Sequence, residues 1–343
     1  MMSMPINLPS AFVVTIMLMA LFGLWRGQTV VSSLYSNVGF VLFNQAVTWP
    51  EPDRSETMQI AKRWFHRSVQ INPDDEAAWR HLGYTYLALS QDAESLAVWR
   101  HVAGIDAELL SWGDLYVQQG AYDEALVWYQ RAATLFPEQG DPWYYIGLTY
   151  QEQERWDEAL AAYETAVQQP YFLHPLRSDA YFQQGVIYEW VPEYRNSESA
   201  LLMYSQALAN DQFSDPLRKA HAFYERGVIY SWQGKSPALS LQEYRQALAL
   251  NPKHDWAQLR LGYALYWAEG DLGEAVAQIN QIIDAWQSVH SPHLKWAYRY
   301  LGDIYLDADR KAEALAAYEA VYRLDPADTD VREQIEQLRE DKP

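Results

Sequence analysis

The chain has 343 residues, enough for two ordinary domains, yet no linker rich in Gly, Ser or Pro divides it, which argues for one elongated array. Its net charge of -19 comes from 45 acidic against 26 basic side chains with no Lys or Arg run, so nucleic acid, which demands a basic footprint, is not an expected partner. There is no cysteine, which removes disulfides, thiolate zinc sites and thiol catalysis and leaves the redox compartment open.

Ala11 to Trp25 is apolar apart from Thr15, and extending it back to Ile6 gives a span near the ~20 residues that a bilayer core requires. We expect residues 6–26 to form a retained single-pass membrane anchor, with Trp25 and Arg26 at the far interface. A cleaved signal peptide and an interfacial helix are the competing readings; no Lys or Arg precedes the span and no Ala-x-Ala site comes after it. Arg26 favours a cytoplasmic side for the residues C-terminal to the span. From Thr29 to Val47 the sequence is apolar with helical spacing, so the anchor runs almost directly into the first helix of the array. Thr48 to Asp53 reads as a turn because of its two prolines.

The stretch Asp141 to Pro170 is the unit from which most of the chain is made. Asp141 and Pro142 read as an N-cap and first helical residue. Trp143, Ile146, Gly147 and Tyr150 share one helical face; after a polar break, Trp156, Ala159, Leu160, Tyr163 and Val167 share another. Glycine inside a helix costs roughly 1 kcal/mol relative to alanine, so Gly147 requires a packing reason: with Ala159 it marks where two helices cross. Gly83, Gly113 and Gly302 lead to equivalent small and aromatic residues without a gap, and Gly39, Gly185, Gly227 and Gly262 do so with insertions. These eight glycines are between 30 and 44 residues apart, the period of a helix-turn-helix solenoid. The longer connectors Val191 to Asn196 and Asn210 to Pro216 flank the Gly185 hairpin and either alter stacking or form contacts of their own. Val331, Ile335 and Leu338 share a face in a last helix that caps the exposed end.

The recurring set Trp/Tyr, Leu-Gly, Tyr, Glu-Ala-Leu, Tyr, Ala, Pro, clearest at Trp79 to Tyr86, Trp112 to Ala132 and Tyr298 to Tyr305, resembles the tetratricopeptide repeat. The resemblance covers about residues 38–328. It implies an all-α, right-handed superhelical solenoid of about eight helix-turn-helix repeats, to which the apolar span adds one N-terminal transmembrane helix and the Val331, Ile335 and Leu338 face a C-terminal capping helix. The expected division is an anchor over 1–28, the repeat array over 29–328 and the capping helix and tail over 329–343.

Motifs for chemistry are weak. Gly234-Lys235-Ser236 lacks the earlier glycine of a phosphate loop and joins two helices instead of following a strand. His290 and His293 have no further ligands nearby, and His81 and His101 read as packing residues. No catalytic residue, metal or cofactor is expected.

The resemblance also implies that the first helix of each repeat lines an inner groove. Residues three before, one after and four after each glycine share a stripe that would face it, giving Arg80, Tyr84, Tyr144, Leu148, Phe182, Val186, Tyr224, Val228, Tyr263, Tyr266 and Arg299 as groove residues. Either a peptide or helix covers this stripe, or tight winding buries it within the array. Only Arg80 and Arg299 on the stripe are cations, so the family's carboxylate clamp for a free C-terminal tail is not expected. These features point to a membrane-anchored scaffold with no catalysis of its own, assembling a membrane or envelope complex. The alternatives are a permanent structural subunit and, third, a carbohydrate-binding or enzymatic accessory, which would require a pocket with converging polar groups.

Overall fold

The computed structural model describes residues 28–48, 53–232 and 236–340. The anchor proposed over 6–26, the turn residues 49–52 and the pair Gly234-Lys235 lie outside the described residues. Among the described residues no helix is long and apolar enough to cross a membrane.

Every regular element among these residues is helical. The described residues form two compact units that divide between residues 138 and 139. In the first, α1 (Gln28–Thr48) pairs with α2 (Asp53–Ile71), α3 (Glu76–Ala88) with α4 (Asp92–Trp99), and α5 (Ile105–Gln118) with α6 (Tyr122–Leu135). In the second, α7 (Asp141–Glu152) pairs with α8 (Trp156–Gln168), α9 (Arg177–Trp190) with α10 (Ser197–Asn210), and α11 (Pro216–Trp232) with α12 (Pro237–Leu250). There α13 (Asp255–Glu269) pairs with α14 (Leu272–Ser288), α15 (Leu294–Asp307) pairs with α16 (Lys311–Leu324), and α17 (Thr329–Glu340) closes the end. That final helix lays Val331, Ile335 and Leu338 on Ala314, Tyr318 and Val321.

The eight spaced glycines sit on the first helix of the eight hairpins, and each faces one bulky side chain of the second. A Cβ built on Gly113 would lie 2.2 Å from the Tyr129 ring, and one on Gly147 would lie 2.6 Å from Tyr163. The same pairing joins Gly39 to Phe65, Gly83 to Trp99, Gly185 to Tyr204, Gly227 to Tyr244, Gly262 to Ile279 and Gly302 to Tyr318. The glycine therefore makes room for a ring, and the alanine expected to share the crossing, Ala159, is buried beside it. Trp99, Tyr129, Tyr163 and Tyr204 are each at most 1% exposed, so every hairpin is pinned by a buried side chain of large apolar area.

At Asp141 the local reading differs from the structure. Gly140 precedes the helix, and the Asp141 carboxylate, fully buried, accepts hydrogen bonds from the Leu173 N–H (2.7 Å), the His174 N–H (2.9 Å) and His174 Nδ1 (2.8 Å). A loop over thirty residues away competes successfully for a side chain that would otherwise cap its own helix. The longer connectors make contacts of their own: the Tyr194 hydroxyl donates to Asp157 Oδ1 at 2.6 Å, and the Ser214 N–H donates to Asp179 Oδ2 at 3.3 Å.

Candidate functional site

In the second unit the first helices α9, α11, α13 and α15 together line a recess of about 710 Å³. Its wall carries Trp190, Trp232, Trp256 and Trp296, with Tyr224 and Tyr300 beside them and His221, Glu225, His254 and Arg260 as its polar groups. Trp190 is 53%, Trp232 60% and Trp296 38% exposed, values far above those of indoles that serve packing.

The register explains the lining. His221, Trp256 and Trp296 stand six residues before their glycines; Glu225, Arg260 and Tyr300 stand two before; Trp190 and Trp232 stand five after. These positions coincide on a helix, and they lie less than one residue's turn (~100°) round from the stripe expected from sequence.

The polar floor is tied together. His221 Nε2 pairs with Glu225 Oε1 at 2.7 Å, and His254 Nδ1 accepts from the Ala257 N–H at 3.2 Å, which leaves the proton of the neutral ring on Nε2. Burial, and then the neighbouring His221, lowers the pKa of His254. Tyr224 packs on His254 with ring centroids 4.6 Å apart, and burial pushes its hydroxyl up to about 12. The Arg260 guanidinium lies 5.9 Å from the centre of the Tyr300 ring. Behind this floor, buried Glu189 accepts a hydrogen bond from the Tyr204 hydroxyl at 2.8 Å.

Burial and the nearby Glu225 carboxylate push Glu189 up to about 8 from its ordinary 4.5. The folded state thus holds a proton that the unfolded chain has released. This contribution to stability is fully present below the unfolded value and is lost as pH rises through the folded one. Urea midpoints should therefore fall for the native protein between about pH 5 and pH 8, and Glu189→Gln, which cannot ionise, should flatten that slope. Equal slopes in both proteins would contradict the assignment.

Of the eleven groove residues expected from sequence, Tyr224 lines this recess. Tyr144, Phe182 and Val228 are instead buried between helices, at 3%, 6% and 2% exposure, so their side chains serve packing and are not presented to a partner. Tyr144 further accepts a hydrogen bond from Arg218 Nη1 at 2.7 Å. Leu148 and Val186 pack against the cores of their own hairpins. Arg80 pairs with Glu108 at 2.9 Å and the Tyr84 hydroxyl donates to the same carboxylate at 2.6 Å. Tyr263 lies 4.5 Å from Tyr300 between ring centroids, the Tyr266 hydroxyl donates to Asp307 at 2.6 Å, and Arg299 bridges to Asp328 at 3.1 Å. Two of the missed residues had a signal in the sequence: Trp190 and Trp232 stand five residues after Gly185 and Gly227, a register that tryptophan also holds after Gly262 but not in the other hairpins.

Among the described residues no three His, Asp or Glu side chains cluster as a metal site. His81 stacks on Phe65 and His101 on Trp79, with ring centroids 5.6 and 4.3 Å apart.

Family models of the TPR repeat match residues 113–154, and models of the tetratricopeptide repeat match residues 140–169 and 254–327. No curated protein matches the sequence. Among solved structures, the chain is similar to the C-terminal part of a TPR repeat-containing protein from Cytophaga hutchinsonii, at 16% identity over 88% of this chain and 99% of that one, with a TM-score of 0.45. It is also similar to PilF of Pseudomonas aeruginosa (17% identity, 69% and 97% covered, TM-score 0.47). A third is PilW, a type IV pilus biogenesis factor (15% identity, 69% and 100% covered, TM-score 0.46).

Proposed function

We propose that this chain is a tetratricopeptide-repeat scaffold without catalysis of its own, which binds a protein partner in the aromatic recess and assembles it into a membrane or envelope complex. The observation that carries this reading is the exposure of Trp190, Trp232 and Trp296 around one concavity. Apolar area of that kind is costly in water unless something covers it, and indoles flanking a pocket are typical of the few residues that dominate binding energy.

The membrane half of the reading rests on residues 6–26 and on α1. That helix comes directly after the anchor and leaves Val30, Phe40, Val41 and Val47 exposed, at 36%, 44%, 42% and 52%, an apolar surface suited to a place at the bilayer interface. Arg26, next to the span, favours the cytoplasmic side for the repeats. A second reading, a carbohydrate-binding accessory, draws support from the convergence of Glu225, His221 and Arg260 in the recess.

Capture of partners from native membranes with the full chain and with a Trp190→Ala, Trp232→Ala, Trp296→Ala variant tests the proposal. A protein retained by the first and lost by the second supports it; identical capture refutes the recess as the docking place.

A further inference from the structure

Resting on the reading of the recess as a docking place, we infer that it takes an arginine side chain of the partner, laid against the open indoles and drawn in by the Glu225 carboxylate.

The rings supply the first reason. Trp190 and Trp232 are 53% and 60% exposed, and neither packs on another ring or beneath a cation among the described residues. The other two indoles of the lining are already engaged: Trp256 meets Trp286 and His293 at 5.2 and 5.0 Å between ring centroids, and Trp296 has Lys295 Nζ 5.5 Å from its ring centre. An open indole face is the negative side of the ring quadrupole, so it attracts a cation and opposes an anion.

The carboxylate supplies the second. Glu225 lines the same recess and is 5% exposed; His221 meets its Oε1, while Oε2 is buried with no hydrogen-bond partner. A buried charge left partly unanswered is costly, and a cation brought close offsets that cost. The charge is felt nearby, since burial first and Glu225 second hold the Glu189 proton up to about 8. Arg260 does not answer it by contact. Its guanidinium lies 5.9 Å from the centre of the Tyr300 ring and is drawn to the Tyr224 hydroxyl, and it joins no ion pair among the described residues. An anion seeking Arg260 would face the open indoles on a chain whose net charge is -19.

The third reason is that this chain already holds its own basic side chains with a ring and a carboxylate together. Arg131 lies 4.8 Å from the Trp128 ring centre and pairs with Asp92 at 3.1 Å. Arg226 lies 5.6 Å from the Phe223 ring centre and pairs with Glu243 at 2.8 Å, and Arg299 lies 6.0 Å from that of Trp296 and pairs with Asp328 at 3.1 Å. Trp190, Trp232 and Glu225 are the same components with no basic side chain laid on those indoles. Arginine suits them better than lysine, because its guanidinium is planar, more weakly hydrated than an ammonium and able to stack on aromatic faces.

The test uses the full chain in detergent and a fluorescent peptide with one arginine between two leucines, monitored by anisotropy. Matched peptides carry in its place citrulline, which keeps the shape without the charge, or lysine or glutamate. The arginine peptide should bind saturably and at least ~10-fold more tightly than each of these, and should weaken at least ~10-fold for Trp232→Ala and for Glu225→Gln. Trp112→Ala, at an exposed tryptophan of the first unit, should change nothing. General attraction to 45 acidic side chains would barely respond to the loss of one, so the glutamine variant separates a site from a charged surface. Trp232 is 60% exposed, so its replacement leaves helical content intact, which circular dichroism checks, and that variant decides the matter if Glu225→Gln does not fold. Absence of binding up to about 1 mM, equal binding of the citrulline, lysine or glutamate peptide, or indifference to Trp232→Ala or to a folded Glu225→Gln would each overturn the inference. If captured partner is lost from the triple variant while the arginine and citrulline peptides bind alike, this inference falls and the scaffold reading stands; unchanged capture removes both.

Discussion

Gly83→Ala should destabilise the first unit by about 2 kcal/mol, although alanine is the better helix former by ~1 kcal/mol. The added methyl would sit 2.1 Å from Nε1 of Trp99. That ring cannot retreat freely: it is fully buried, and its Nε1–H donates to the Arg80 carbonyl at 3.2 Å. Moving it breaks a buried hydrogen bond, while holding it forces the helices apart. The diagnostic comparison is made in a Trp99→Leu background. With the ring gone, the steric term vanishes and propensity remains, so Gly83→Ala should there stabilise by ~1 kcal/mol. Urea denaturation of the four proteins measures the coupling. Additive effects would mean that glycine and ring do not act as one packing unit.

Replacing Trp190, Trp232 and Trp296 together with alanine should weaken capture of the native partner by at least ~100-fold, about 2.7 kcal/mol. Single interface tryptophans commonly contribute ~2 kcal/mol or more, but their effects do not add. The three side chains are 38% to 60% exposed, so little of the loss can be charged to folding. A decline of only a few fold would place the main contact elsewhere on the chain.

The fold was legible because its signal is repeated eight times. Each crossing glycine reports the same packing constraint through its bulky partner, sixteen to nineteen residues on in seven hairpins and twenty-six in the first, so Gly83 with Trp99 and Gly302 with Tyr318 reinforce one another. The candidate site was legible only in part. A groove stripe chosen by analogy fell less than one residue's rotation from the lining positions, which sufficed to pick buried Tyr144 and Phe182 over exposed Trp190 and Trp232. Helical phase relative to a neighbouring repeat depends on how hairpins stack, and long-range ties such as Asp141 to His174 are invisible to local periodicity. The polar floor was equally hidden: His221, Glu225 and Arg260 lie on two helices and converge only after the hairpins stack.

The most direct test of the account places a photo-crosslinking amino acid at Trp232 or at Leu202, which is 53% exposed on the second helix of a hairpin. Irradiation in native membranes should join the partner to position 232 and leave position 202 unlinked. Crosslinking from 202 with none from 232 would show that the partner sits on the outer helices, and the recess would lose its role.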